Sequence, residues 1–192
     1  SRTSTFALKG IVMNITKGFW VFGYGSLIWQ PGFDFVELQI ARMNGFSRSF
    51  CMWSIHHRGT VENPGLVLAL DVAEDASCDG VAFFVLPEMA QVTIDYLRER
   101  ELISSAYLEQ IHSITLRDGR VVDCVVYVID PDHDQYCGGM ALENQAQVIS
   151  KAVGGRGLNS EYLYKTVEHL AKIGLHDADL DWLASRVRIL SD

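Results

Sequence analysis

Lysine is scarce in this chain, and no run of basic residues offsets the shortage. Sixteen Lys and Arg stand against 24 Asp and Glu, for a formal net charge of −8. A surface with that balance lacks the cationic stripe that phosphate backbones and anionic bilayers demand, which excludes nucleic acid and membrane surfaces as main partners. Long apolar runs are missing too, since none approaches the roughly 20 residues that span a bilayer. The N-terminal stretch has scattered apolar residues, no compact hydrophobic region and no small-residue cleavage site, so no signal peptide is expected. Cysteine is sparse: Cys51, Cys78, Cys124 and Cys137 stand more than ten residues apart and form no CxxC pair. No base lies near any of them in sequence, so a cysteine nucleophile has no support. Reduced, mostly buried thiols in a cytoplasmic protein are the expectation. Two nucleophile and phosphate signatures are absent as well: no Gly-Lys-Ser/Thr ending marks a P-loop, and Ser26 is not in a G-x-S-x-G elbow.

What is present suits a soluble globular fold. Of 192 residues, 48% are hydrophobic and 21% charged, enough chain to bury a sizeable core. No repeat, low-complexity linker or composition shift divides it. Residues 1–18 read as an N-terminal tail, untidy over Ser1 to Thr5, and residues 19–192 as a single domain. Arg48 to Trp53, with Phe46, reads as a strand. Leu66–Leu70 and Gly80–Leu86 are apolar runs bounded by Gly, Pro and Asp, hence buried strands. Ile111–Leu116 and Val121–Ile129 flank Asp118-Gly119, a hairpin signal that pairs them antiparallel. Pro87-Glu88 opens a mid-chain helix. Met140–Val153, Glu161–Leu170 and Asp181–Leu190 read as further helices, the second capped by Asn159-Ser160. Strands first, one central helix and a helical tail make an α+β pattern on a small mixed or antiparallel sheet. Closure into a barrel would hide its edges.

Two features carry chemistry. The first is Trp20-Val21-Phe22-Gly23-Tyr24-Gly25-Ser26-Leu27-Ile28-Trp29, a buried strand running into a tight loop with two glycines around one aromatic. Such a loop, anchored by apolar residues on both sides, presents backbone N–H groups on a rigid frame, as an anion or developing oxyanion requires. An ordinary strand-to-turn corner has the same spacing. A dinucleotide fingerprint does not fit, because Ile28 stands where the third glycine belongs and Pro31-Gly32 interrupts any helix. The second is on the mid-chain helix. Advancing about 100° per residue from Met89 puts Val92, Tyr96 and Leu97 near 300°, 340° and 80°, with charged residues at about 180–280°. Glu101 at about 120° and Arg100 at about 20° then fall inside the apolar arc. A core-facing carboxylate must be paired or neutralised, which is the condition of a general acid or base near neutral pH. His56-His57 is an adjacent pair whose rings would face opposite ways in a strand, so joint metal ligation is not expected.

With the glycine loop and the core-facing glutamate in view, the chain resembles the ChaC-like branch of the γ-glutamylcyclotransferases. The similarity starts at Val21–Trp29 and Pro31-Gly32-Phe33, and continues through Arg48-Ser49-Phe50 and His57-Arg58-Gly59-Thr60 to Pro64-Gly65. It takes in Asp79-Gly80-Val81-Ala82, Tyr96-Leu97, Arg100-Glu101, Tyr107 and, near the end, Gly157–Leu163. In all it covers roughly residues 19–190. It implies a small mixed barrel with flanking helices, and a lyase that needs no metal or organic cofactor. The implied reaction is intramolecular aminolysis of a γ-glutamyl amide, glutathione foremost, giving 5-oxoproline and cysteinylglycine. The glutamate of the family's Arg-Glu motif falls on Glu101, as general acid/base. The signature loop places ligand contacts at Val21, Phe22, Gly23, Tyr24, Gly25, Ser26 and Leu27, with Arg58, Arg100, Tyr107 and Tyr127 as further substrate-binding candidates. The resemblance also admits other γ-glutamyl amino acids or amines as substrates, or a non-catalytic binding module of the same fold. Two departures stand out. His56 replaces an aspartate, and Leu102-Ile103-Ser104-Ser105-Ala106 precedes Tyr107 where many relatives carry two glycines.

Overall fold

The computed structural model describes residues 5–8 and 11–192. Regular structure starts at once, with a two-stranded antiparallel sheet of β1 (Thr5–Leu8) and β2 (Ile11–Asn14). A 3-10 turn follows at Ile15–Lys17, its start capped by the Asn14 side chain, which accepts from the Thr16 amide. The untidy stretch expected at Ser1 to Thr5 lies, apart from Thr5, outside the described residues. Next come β3 (Phe19–Gly23), the single-turn helix α1 (Ser26–Trp29), and two long strands, β4 (Glu37–Ser54) and β5 (Gly65–Val85). Helix α2 (Ala90–Glu101) is entered through a 3-10 turn opened by Pro87, and leads to β6 (Tyr107–Leu116) and β7 (Val121–Ile129). The remainder is α3 (Leu142–Lys151), the short pair β8 (Val153–Gly154) and β9 (Gly157–Leu158), α4 (Asn159–Lys172) and α5 (Ala178–Ser191).

These elements form two compact units that alternate along the chain. One holds the described residues up to Ser47 together with Leu70–Asp130; the other holds Arg48–Ala69 and Pro131–Asp192. The closed barrel has the strand order β3-β5-β4-β6-β7. β3 runs antiparallel to β5 and parallel to β7, which makes the barrel mixed, as expected. All five residues of β3 are buried, the pattern of a strand covered on both faces. Side chains alternate across a strand. Trp20, Phe22, Ala82, Ile114, Leu116, Cys124, Val126 and Val128 accordingly fall in one apolar cluster. The odd-numbered neighbours Glu109 and Tyr127 face the other way.

The β6–β7 hairpin forms, with a register set by its turn. The Leu116 amide donates to the Arg120 carbonyl and the Gly119 amide to the Leu116 carbonyl. Gly119 takes the left-handed φ of 97° that this loop needs. Glu109 therefore lies opposite Tyr127, and residues directly opposite share a face.

Three expectations change. The two apolar runs at Leu66–Leu70 and Gly80–Leu86 belong to one strand, β5, whose middle is polar and largely exposed and so left no apolar signal. The buried residues of α2 are Ala90, Thr93, Ile94 and Leu97, an arc of about 40–140° on the same wheel. Val92, counted with the apolar arc, is 57% exposed. Asn159 does not cap α4: that place belongs to Leu158, with no side-chain capping bond. Instead the fully buried Asn159 side chain accepts from the Leu66 amide and donates to the Leu66 carbonyl, both at 2.8 Å. It acts there as a side-chain substitute for a strand partner.

Candidate active site

Strand β3 delivers the glycine loop at its C-terminal end, and the loop is fastened in two ways. Its aromatic residue, Tyr24, lies in the buried cluster and donates its hydroxyl to the Tyr127 carbonyl at 2.7 Å. The turn of α1 closes through Ile28 N–H to the Gly25 carbonyl and Gln30 N–H to the Ser26 carbonyl. Val21 and Phe22 are fully buried and Leu27 nearly so. The side chains of Val21, Phe22, Tyr24 and Leu27 thus anchor the loop.

The second fastening comes from α2. Arg100 donates from Nη1 to the carbonyls of Gln30 (2.5 Å) and Pro31 (3.1 Å) and to the Tyr96 oxygen (3.1 Å), and from Nη2 to Ser26 Oγ at 3.0 Å. Its Nε stands 3.3 Å from Glu101 Oε1. One guanidinium therefore ties residues 26–31 to the end of the helix that carries Glu101. The approach is so close at Gly32 (φ 75°) that a Cβ there would sit 2.0 Å from the Tyr96 hydroxyl oxygen. Glu101 occupies the buried arc of α2 in its last turn, its side chain 15% exposed. The sequence expectation for Glu101 is met in position; Arg100, at about 20° on the wheel, falls just outside the buried arc, half-buried, and is engaged in holding the loop.

Strand β6 carries a group that the sequence reading did not single out. Glu109 is buried (side chain 5% exposed) and takes both Nε and Nη2 of Arg98, at 2.9–3.3 Å. It also accepts the Tyr127 hydroxyl at 2.9 Å. Burial, then the charge and hydrogen bond of Glu109, then the charge of Glu101 push the Tyr127 phenol well above the usual phenol range, against Arg98. Arg98 falls at about 180° on the wheel, among the charged residues, and its long stem carries the charge back to the sheet. The available signal was a glutamate inside an apolar strand, opposite a tyrosine once the hairpin register is known.

The other candidates are placed as follows. Tyr107 is half-buried at the start of β6, opposite Ile129. Between it and Glu101, Ser105 holds a left-handed φ of 55°. Arg58 belongs to the second unit. There its buried guanidinium donates to the Leu158 carbonyl at 3.0 Å, lies 3.8 Å from Glu161 and covers the Tyr162 ring. Burial foremost holds the Arg58 guanidinium below its ordinary value. Among the described residues no three His, Cys, Asp or Glu side chains converge to hold a metal ion, and no helix is long and apolar enough to cross a membrane.

Comparison with known proteins identifies the family of the chain. A family model described as "ChaC-like protein" matches residues 19–190. The glutathione-specific gamma-glutamylcyclotransferase of Escherichia coli K12 is 35% identical, over 90% of this chain and 74% of its own length. Gamma-glutamylcyclotransferase 2-3 of Arabidopsis thaliana is 36% identical over 90% of both chains. The crystal structure of the yeast gamma-glutamyl cyclotransferase specific to glutathione superposes with a TM-score of 0.81 at 27% identity, covering 92% of this chain and all of that one.

Proposed function

Since this chain belongs to the ChaC-like family, we propose that it is a γ-glutamylcyclotransferase that cleaves glutathione to 5-oxoproline and cysteinylglycine, with Glu101 as general acid/base. One observation carries the reading. Glu101 lies on the buried arc of α2, beside the arginine that also holds the loop after β3.

The chemistry follows from the substrate. The α-ammonium of a γ-glutamyl amide cannot attack its own γ-carbonyl until it loses a proton, and Glu101 takes it. Nitrogen then bonds to the γ-carbon, and collapse of the tetrahedral intermediate breaks the old C–N bond. In total two protons leave the former ammonium and two arrive on the departing cysteinyl nitrogen. No water is consumed, and the carboxylate is regenerated. The attack is intramolecular, a class in which effective molarities reach about 10⁵–10⁸ M. The protein's remaining task is to fold the glutamyl chain into ring geometry and to stabilise the oxyanion. We assign that task to the backbone amides of Gly23–Ser26, with Tyr107 and Tyr127 as flanking contacts. Neither a metal nor an organic cofactor is required by these steps.

Residues 19–192 work as one functional domain in this reading, a span that the family match nearly fills. The four free cysteines, three of them buried, suit a reducing compartment such as the cytoplasm. The test is an assay of purified protein with glutathione and a panel of γ-glutamyl dipeptides and amines, scored for 5-oxoproline. Turnover of glutathione above the rest is the expected result. Preference for another γ-glutamyl compound would move the substrate assignment, and no turnover of any would leave a binding module.

A further inference from the structure

We infer that Cys51 and Cys137 form a reversible disulfide with a small disulfide as the oxidant, a modification site that ties the segment ahead of α3 to the end of β4. Both residues belong to the second unit, and both thiols are free in the structure. Far apart in sequence, they are brought together by residues 135–137, which pair with β4 as a short added strand. Met52 and Tyr136 form an antiparallel bridge. Two backbone bonds flank it, Cys137 N–H to the Cys51 carbonyl at 2.8 Å and Trp53 N–H to the Gln135 carbonyl at 2.7 Å. The Gln135 side chain adds a bond from Nε2 to the Trp53 carbonyl at 2.8 Å. Bonds on either side make Met52 and Tyr136 the non-hydrogen-bonded pair of this ladder. The next pair, Cys51 with Cys137, is then a hydrogen-bonded one.

Residues directly opposite one another share a face. The spacing of a hydrogen-bonded pair, about 5.5 Å between Cα atoms, lies well inside the range that a disulfide spans. The two thiols also act on each other: burial first, and the charge of Cys51 second, push the Cys137 thiol up to about 12. Access differs between them. Cys51 is 1% exposed, and its Sγ donates to the Ala69 carbonyl at 3.9 Å, whereas Cys137 is half-buried. Cys137 is therefore the sulfur that an oxidant meets first. It gives its proton to water, and its Sγ attacks one sulfur of the small disulfide, expelling the other as a thiol. Cys51 Sγ, losing its own proton, then attacks the Cys137 sulfur, breaks the mixed bond and expels the second thiol. In balance, a protein dithiol and a small disulfide give a protein disulfide and two small thiols. A thiol pushed so high is seldom ionised near neutral pH, so the exchange is slow and answers sustained oxidation.

The test equilibrates the full chain, in native buffer, with hydroxyethyl disulfide. That probe carries no γ-glutamyl group, so the outcome is independent of the substrate assignment. Remaining thiols are then alkylated in urea, and the peptides are compared by mass spectrometry with and without reduction. The expected result is one linked pair of peptides, carrying Cys51 and Cys137, that dithiothreitol separates. Because the link closes a long loop of the unfolded chain, it should raise Tm by about 5–10 °C, and dithiothreitol should reverse the rise. Cys137→Ser should show neither the link nor the rise. Full alkylation of Cys51 and Cys137 after equilibration overturns the inference, as does a mixed disulfide that persists on Cys137. So does a linked pair that includes Cys78 or Cys124, or a Cys51–Cys137 link that lowers Tm. Should Cys137→Ser fail to fold, the linked peptides and the melt of the native protein decide alone.

Discussion

Arginine offers five N–H donors in a rigid fork, and at Arg100 that fork reaches two carbonyls, a phenol oxygen and the Ser26 hydroxyl. Replacing it by methionine keeps the stem and removes every one of those bonds. We expect kcat/KM to fall by about 10²-fold, the usual effect of displacing a positioned group by an ångström. Arg100→Lys should recover only part, because an ammonium cannot hold the loop on two sides. Steady-state kinetics checks both. Gly32 is the complementary case. Alanine there would place a Cβ 2.0 Å from the Tyr96 oxygen and 2.7 Å from its ring, at φ 75°. The variant should displace the loop or α2 and lose both stability and turnover. Removing the tyrosine hydroxyl should not rescue it, since the ring carbon clashes too. A melt of Gly32→Ala with and without Tyr96→Phe reads this out.

Legibility in the sequence differs from element to element, for physical reasons. The hairpin was readable because Asp118-Gly119 is a local signal, and the helix glutamate because a 3.6-residue period carries phase to position 101. Val92 misled because valine counts as apolar wherever it stands, while its place on α2 is exposed. β5 escaped as one strand because a half-exposed strand needs no apolar residues on its open face. Asn159 was read as a cap on type and position, since nothing local announces a partner 93 residues away. That partnership is testable. Asn159→Leu leaves a buried N–H and a buried carbonyl of Leu66 without partners, and should cost about 3 kcal/mol, measured by urea unfolding. Asn159→Asp should be no better, because it keeps the acceptor but loses the donor to the Leu66 carbonyl and buries a charge.

At the scale of the whole molecule, the acidic surface determines how stability responds to pH. Arg186, foremost through a hydrogen bond, holds Glu143 at about 2, below its usual 4.5. Arg120 lowers Asp118 in the same manner. A carboxylate lowered on folding stabilises above its unfolded value, and that contribution disappears as pH falls through the folded one. For Glu143 the window runs from about 4.5 down to about 2. Arg186→Met should therefore lower Tm at neutral pH and match the native protein below that window, with the neutral difference shrinking in high salt because the pair is exposed. The fold class and the buried-arc position of Glu101 were both readable because they rest on strand count and helix phase. The buried Arg98–Glu109–Tyr127 cluster was not, since it needs the register of β6 on β7 and the reach of a side chain from α2.

The central claim is that Glu101 moves the proton that turns a γ-glutamyl amide into 5-oxoproline. The most direct measurement is 5-oxoproline released from glutathione by the native protein and by Glu101→Gln, with substrate binding followed on both by calorimetry. The native protein should give 5-oxoproline and cysteinylglycine one to one. The variant should stay folded, bind, and turn over about 10²–10⁴-fold more slowly. Near-native release of 5-oxoproline by the folded variant would contradict the account.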